Sequence, residues 1–295
     1  MAKTRSSIAY LIHLLLWGIV SCHAPQQQNA AGQAERIIST VLLGDDFLID
    51  LLVPEQLERV VGLSTIFESY ALMDTQQRAQ GVTSARFNLQ NIEAIVAAQP
   101  DVVLVGSFSE PVAYAQLERF GIRVQVLEVA VTLSEIVEQL RLMGQLLERW
   151  EQAERLIEEM VALEGVLARN RKLLTEQLSI LDFNAYGVSA GPNTSLGLVF
   201  SLAGLHNSAT ELLYFDAIGY APLGHEALFK LDPDFLLCDE ATAQLLSKDQ
   251  RFMSLKAVQQ GRVLISNFAT RQLLFSPNRH LLSAVLWLQQ QVMQA

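Results

Sequence analysis

Residues 93–104 read Glu93-Ala94-Ile95-Val96-Ala97-Ala98-Gln99-Pro100-Asp101-Val102-Val103-Leu104, and residues 226–237 read Glu226-Ala227-Leu228-Phe229-Lys230-Leu231-Asp232-Pro233-Asp234-Phe235-Leu236-Leu237. Glu, Ala, Pro, Asp and a closing Leu recur at the same spacing. Each copy predicts a short helix ended by proline, whose ring removes an N–H and clashes with the preceding turn. An apolar run of buried-strand length follows. Working outward, the flanks repeat as well. Each copy is followed by a helical stretch and a glycine-led strand, Gly121-Ile122-Arg123-Val124-Gln125-Val126 and Gly261-Arg262-Val263-Leu264-Ile265. Each is preceded by a strand (residues 36–40 and 178–183), a helix, and a Gly-Leu pair, Gly62-Leu63 or Gly204-Leu205. Alternating strands and helices predict an α/β protein with mainly parallel sheets flanked by helices. The duplication predicts two similar lobes.

Between the copies lies a long helical stretch. Thr132 and Glu135 form a capping-box pattern. Ile136, Leu140, Met143, Leu146 and Leu147 continue it as a helical stripe. From about Arg149 a second helix runs through Ala153, Leu156, Ile157, Met160, Leu163 and Leu167 toward Leu174, with Gly165 its one weak point. Such a rod would be roughly 36 Å long at 1.5 Å per residue, enough to join one lobe to the other. The expected organisation is an N-terminal α/β lobe over 35–148, a connecting helix over 149–176 and a C-terminal α/β lobe over 177–295, with a ligand cleft between the lobes. A continuous helix resists bending, so small lobe motions are expected rather than wide hinge closure.

The chain has 295 residues, 51% hydrophobic and 18% charged, which is globular composition with room for about two domains. Lys+Arg 21 against Asp+Glu 31 gives a formal charge of −10. No basic stripe is present, so nucleic acid is excluded as a partner, as is a polybasic membrane patch. Two cysteines are too few for a zinc ribbon, an iron–sulfur cluster or a disulfide framework. Cys238 sits in the apolar run Phe235-Leu236-Leu237-Cys238 and reads as a packed core thiol without a disulfide partner.

Lys3 and Arg5 precede an apolar run from Ile8 to Val20. That run is shorter than the roughly 20 residues a spanning helix needs and fits a signal-peptide core. It ends Ile19-Val20-Ser21-Cys22, which resembles a bacterial lipobox. The expectation is a signal segment over 1–21, lipidation at Cys22 and a polar tether over 22–34. The mature body is then held on a lipid bilayer outside the cytoplasm, in the periplasm or at the cell surface.

There is no H-E-x-x-H and no phosphate loop ending Gly-Lys-Ser/Thr. Asp45-Asp46 could form a carboxylate pair, though a helix start is the plainer reading. No catalytic residue, cofactor or metal site is assigned.

The lipobox, the paired β/α lobes and the helical connector together resemble the solute-binding proteins of ABC transporters for ferric siderophores, cobalamin and related chelates. The resemblance covers roughly residues 35–293. Its best local matches are Asn91-Ile92-Glu93-Ala94-Ile95 with Gln99-Pro100-Asp101-Val102-Val103-Leu104, and Ala190-Gly191-Pro192-Asn193-Thr194 leading to Ala203-Gly204-Leu205-His206-Asn207. It implies a monomeric, non-enzymatic receptor that grips a ferric siderophore, cobalamin or similar chelate in the interlobe cleft and delivers it to an ABC permease. It also implies that one glutamate on each lobe, here Glu93 and Glu226, docks onto permease arginines. Both residues also fit as helix N-terminal carboxylates.

Loops at strand ends then offer ligand contacts: Tyr70, Arg86, Phe87, Phe108, Tyr186, Tyr220, Phe268 and Arg271. Phe87 lies where the cobalamin-binding relatives place an aromatic residue. Aromatic rings suit a large flat chelate, and arginines suit carboxylate or catecholate charge. Relatives that take bare metal use histidines and carboxylates from both lobes. The histidines here are His13, His23, His206, His225 and His280, none in the body of the first lobe. Haem through Tyr70, Tyr186, Tyr214 or Tyr220 stays open, as does a scaffold or sensor role; an exported enzyme fits least.

Overall fold

In the computed structural model, residues 35–82, 85–174, 176–276 and 278–295 are described. The signal segment, Cys22 and the tether lie outside them. The first sheet is built from β1 (Ile37–Ser39), β2 (Val60–Ser64), β3 (Arg86–Phe87), β4 (Val102–Gly106) and β5 (Arg123–Leu127), in the order β3-β2-β1-β4-β5. Every pairing in it is parallel. β4 is buried along its whole length, as a central strand covered on both faces must be. Its helices are α1 (Leu42–Leu51), α2 (Phe67–Tyr70), α3 (Met73–Arg78), α4 (Ile92–Ala97) and α5 (Pro111–Arg119). Asn91 caps α4 by accepting a bond from the Ala94 N–H at 3.1 Å.

Two helices leave this lobe. α6 (Leu133–Leu146) opens on the expected capping box. The Glu135 N–H donates to Thr132 Oγ1 at 3.2 Å and the Thr132 N–H to Glu135 Oε2 at 3.0 Å. α7 (Trp150–Arg171) follows as one uninterrupted helix of 22 residues, ending three residues short of Leu174.

The second sheet contains β6 (Ser179–Asp182), β8 (His206–Asn207), β10 (Phe235–Cys238) and β11 (Val263–Ile265), all parallel, in the order β11-β10-β6-β8; β7 (Val188–Ala190) and β9 (Tyr220–Pro222) form a separate antiparallel pair. Its helices are α8 (Ser195–Ala203), α9 (His225–Leu231), α10 (Glu240–Lys248), α11 (Lys256–Gln259), α12 (Phe268–Leu274) and α13 (Leu281–Gln294). The order β8-β6-β10-β11 reproduces β2-β1-β4-β5. The repeated stretches become α4–β4 and α9–β10, so the duplicated sequence is a duplicated fold. Among the described residues the antiparallel β7–β9 pair has no counterpart in the first lobe. In each sheet the connection reverses direction at its centre, between β1 and β4 and between β6 and β10.

The core has three parts. One apolar cluster lies on the outer side of the first sheet, around Ile38, Ile95, Val103 and Leu117, and another in the second lobe around Leu181, Leu236 and Phe252. The largest runs through both lobes: Leu104 and Leu127 from the first sheet, Leu156 and Met160 from α7, Ile180 and Phe200 from the second lobe, and Leu281 and Leu288 from α13. Cys238 is wholly buried and unpaired, and burial pushes its thiol up to about 12. Among the described residues no helix is long and apolar enough to cross a membrane.

Candidate functional site

Parallel α/β sheets present their ligand sites beyond the carboxyl ends of the strands, at the point where strand order reverses. In the first lobe those ends are Thr40-Val41 after β1, Thr65-Ile66 after β2, Asn88 after β3 and Ser107-Phe108 after β4. Two cavities open there. The first, of about 400 Å³, lies between the lobes. Ser107, Phe108, Val129 and Val131 line it from the first lobe, and Pro192, Asn193 and the loop Phe215–Gly219 from the second. The second cavity, of about 480 Å³, lies on the first lobe and shares Phe108 with the first.

The walls are positioned by local chemistry. Pro192 and Asn193 belong to the Ala190-Gly191-Pro192-Asn193-Thr194 stretch between β7 and α8. Thr194 fixes the turn by donating to the Gly191 carbonyl at 2.8 Å and accepting from the Gly197 N–H at 3.0 Å. Asp216 ties its own loop, accepting from the Ile218 N–H at 3.0 Å and the Tyr220 N–H at 2.8 Å. Both aromatic walls rest on glycine. A β-carbon on Gly106 would strike the Phe108 ring, and one on Gly191 would strike the Phe215 ring. Phe108 is 62% exposed, a large apolar surface offered to the cleft.

The expected ligand contacts divide. Phe108 lines both cavities. Tyr220 follows the cleft loop directly and is half-buried in β9. Burial raises its hydroxyl to about 12, so it stays protonated. Tyr70, Tyr186 and Phe268 are exposed (Tyr186 at 83%) but line neither cavity. Phe87 is 9% exposed, packed with Ile38, Ile95 and Val103 and lying against the α-carbon of Gly62. It packs into the core of the first lobe and lines neither cavity. Arg86 is committed to Glu68, with Nε at 2.7 Å from Oε1, and its guanidinium lies 5.5 Å from the Phe67 ring centre. Arg271 donates to Ser266 Oγ at 3.4 Å and sits 4.9 Å over the Phe275 ring. Its charge opposes the effect of burial on Asp182, which burial raises to about 6. Glu93 and Glu226 are exposed, each in the first turn of its helix.

Sequence reasoning points to the loop over 214–220, which brings Phe215 and Ile218 to the wall, but it passed over Val129 and Val131 on the opposite side. It also passed over a polar cluster that joins the lobes. Asp50 accepts from Arg78 at 2.7 Å, from Arg279 Nε at 2.7 Å, and contacts His280 Nε2 at 3.1 Å. Asn278 donates to Asp46, and Gln272 donates to the Ala71 carbonyl at 2.8 Å. Among the described residues no group of three or more His, Cys, Asp and Glu is arranged to hold a metal ion.

Residues 47–268 match the periplasmic binding protein family. The chain belongs to that family. It is 26% identical over 181 residues to a cobalamin-binding protein of Halobacterium salinarum, a match covering 61% of this chain and 48% of the relative. The chain thus spans about half the length of the curated relatives it matches. Solved structures with the same fold include the periplasmic vitamin B12 binding protein of Vibrio cholerae (TM-score 0.70, 19% identity, 88% of this chain and 97% of that one). A periplasmic haem-binding protein from Pseudomonas aeruginosa is similar (TM-score 0.67, 22% identity, 87% and 91%). So is a molybdate periplasmic binding protein from Haemophilus influenzae (TM-score 0.75, 16% identity, 90% and 87%). This binding protein therefore shares a two-lobed fold with proteins named for several different ligands. Ligand identity has to come from its own cleft.

Proposed function

We propose that this binding protein serves an ABC importer, and that it captures a corrinoid such as cobalamin between its lobes and passes it on unchanged. The lining of the interlobe cavity carries this reading. Phe108, Val129, Val131, Pro192, Phe215 and Ile218 make it apolar, and no lysine or arginine lines it. Haem brings two propionates and a ferric catecholate brings several negative charges. Either would enter an uncompensated site whose one charged lining residue, Asp216, is acidic. No tyrosine or histidine lines the cavity to ligate haem iron. Cobalamin brings an apolar macrocycle, a neutral amide periphery and a cobalt that already carries its own ligands. The name of the Halobacterium salinarum relative supports the same choice.

The remainder of the reading concerns delivery. Glu93 and Glu226 are the exposed carboxylates, one per lobe, that meet cationic residues of the permease. Cys22 carries the lipid that keeps the protein, as a monomer, at the membrane surface. Titration of the purified protein with cyanocobalamin, haem and a ferric siderophore, followed by tryptophan fluorescence and thermal shift, tests the ligand class. Saturable stabilisation by cyanocobalamin is expected. Silence toward it, with a response to haem, would overturn the assignment.

A further inference from the structure

We infer that the ligand site does not end at the interlobe cavity but continues past Phe108 into the crevice of the first lobe, which takes the neutral amide-bearing periphery of the ligand. The inference rests on the corrinoid reading above and adds a second compartment to it. The crevice lies at the β1/β4 reversal, where an open α/β sheet leaves room beyond its strand ends. Its volume of about 480 Å³ exceeds the roughly 400 Å³ between the lobes, and Phe108 is common to both walls. Neither space alone matches a ligand as bulky as a corrinoid. A ring standing 62% exposed at their junction divides one site in two.

The chemistry of the crevice differs from that of the cleft. Thr65, Asn88, Gln90 and Ser109 line it beside the apolar Val41 and Ile66. The Thr65 hydroxyl, the Gln90 amide and the Ser109 hydroxyl make no side-chain hydrogen bond to described residues. Asn88 uses its Oδ1 to accept the Gln90 N–H at 3.0 Å and leaves its NH₂ unused. These groups donate and accept without net charge, and the one charged lining residue is Glu110. That set matches carboxamides and repels carboxylates. At the reversal of the second sheet, Asp182, the last residue of β6, is wholly buried and accepts from Asn184 at 3.1 Å, with the Arg271 charge close by.

The test compares cyanocobalamin with its monocarboxylic acid derivatives, in which one peripheral amide is hydrolysed. Binding to the wild-type chain and to three variants is measured by titration calorimetry. Thr65→Val with Gln90→Ala removes two polar side chains that make no hydrogen bond to the described residues. Thr65→Trp fills the crevice. The double variant should bind cyanocobalamin about tenfold more weakly, the loss expected for two neutral hydrogen bonds, and Thr65→Trp should weaken it at least as much by occupying the space, each with an unchanged unfolding temperature. At least one acid derivative should bind the wild type more weakly than the amide, and Glu110→Gln should restore that derivative without improving the amide. Full cyanocobalamin affinity in both the double variant and Thr65→Trp would overturn the second compartment while leaving the interlobe site standing. Failure of the wild-type chain to bind cyanocobalamin at all would overturn the corrinoid reading and this inference with it.

Discussion

Asp45 is wholly buried in the first turn of α1, where it accepts from the Ser64 N–H at 3.0 Å and from the Ser64 hydroxyl. Burial is the larger influence and pushes its carboxyl up to about 7, against a usual value near 3.8. Between those two values the folded chain holds a proton that the unfolded chain has lost. Stability therefore falls as pH rises from about 4 to about 7, and the deficit persists above that. Asp45→Asn keeps the acceptor for the Ser64 N–H and removes the titration. The variant should exceed the wild type in urea-measured stability at pH 8 by on the order of 1–3 kcal/mol, with the gap closing toward pH 4. A gap of constant size across that range would show that Asp45 ionises as an ordinary surface carboxylate does. The neighbouring Asp46 is raised for the same first reason, burial, reinforced by the nearby charges of Asp50 and Asp45. A protein that works outside the cytoplasm is thus most stable on the acidic side of neutrality, as far as these two groups decide it.

At the scale of the element, α7 carries the connection between the lobes, and its buried stripe is Ala153, Leu156, Ile157, Met160 and Leu167. Gly165 weakens the helix without being needed there. A β-carbon at that position meets nothing closer than Arg169 Nη1 at 3.8 Å. Gly165→Ala should raise stability by about 1 kcal/mol, the helix-propensity difference, measurable as a higher denaturation midpoint at unchanged ligand affinity. The same local logic explains what was legible beforehand. Helix–proline–strand, the Thr132 capping box and the stripe of α6 are written within a few residues of one another, so periodicity and capping suffice to read them. Phe87 was not legible in this way. An aromatic at a strand end looks the same whether it faces a ligand or the core, and what decides is its approach to Gly62, which lies in another strand. Val129 and Val131 are apolar loop residues with no local sign of a cavity. The network of Asp46 and Asp50 with Asn278, Arg279 and His280 joins positions about 230 apart in the chain, beyond the reach of any pattern.

For the whole molecule, that network and the shared core decide how the lobes move. Asp50 is almost fully buried and meets Arg78, Arg279 and His280. Burial works to raise its carboxyl, but the hydrogen bonds and charges of His280 and Arg279 outweigh it and hold it well below the usual range. A depressed carboxyl contributes stability above its unfolded pKa and loses it only under strong acid, so the lobes stay coupled at mildly acidic pH. Asp50→Asn removes the buried carboxylate that Arg78 and Arg279 share and leaves them only the exposed Asp74 and Glu159. It should cost about 3 kcal/mol and raise hydrogen exchange in both α1 and α13, whereas loss of protection in α1 alone would mean that the contact does not join the lobes. Rigid coupling in turn fixes the separation of Glu93 and Glu226, which lie on different lobes and are proposed to meet the permease together. Two contacts made by one stiff body act as a bivalent pair, in which the second forms at high effective concentration once the first exists. Reversing one charge should therefore weaken docking more than half, and Glu93→Lys with Glu226→Lys should abolish ligand uptake in reconstituted vesicles at unchanged ligand affinity. The single variants should show association slowed and steeper sensitivity to salt lost. Equal uptake by wild type and double variant would remove both glutamates from the docking surface and leave them as helix-end carboxylates.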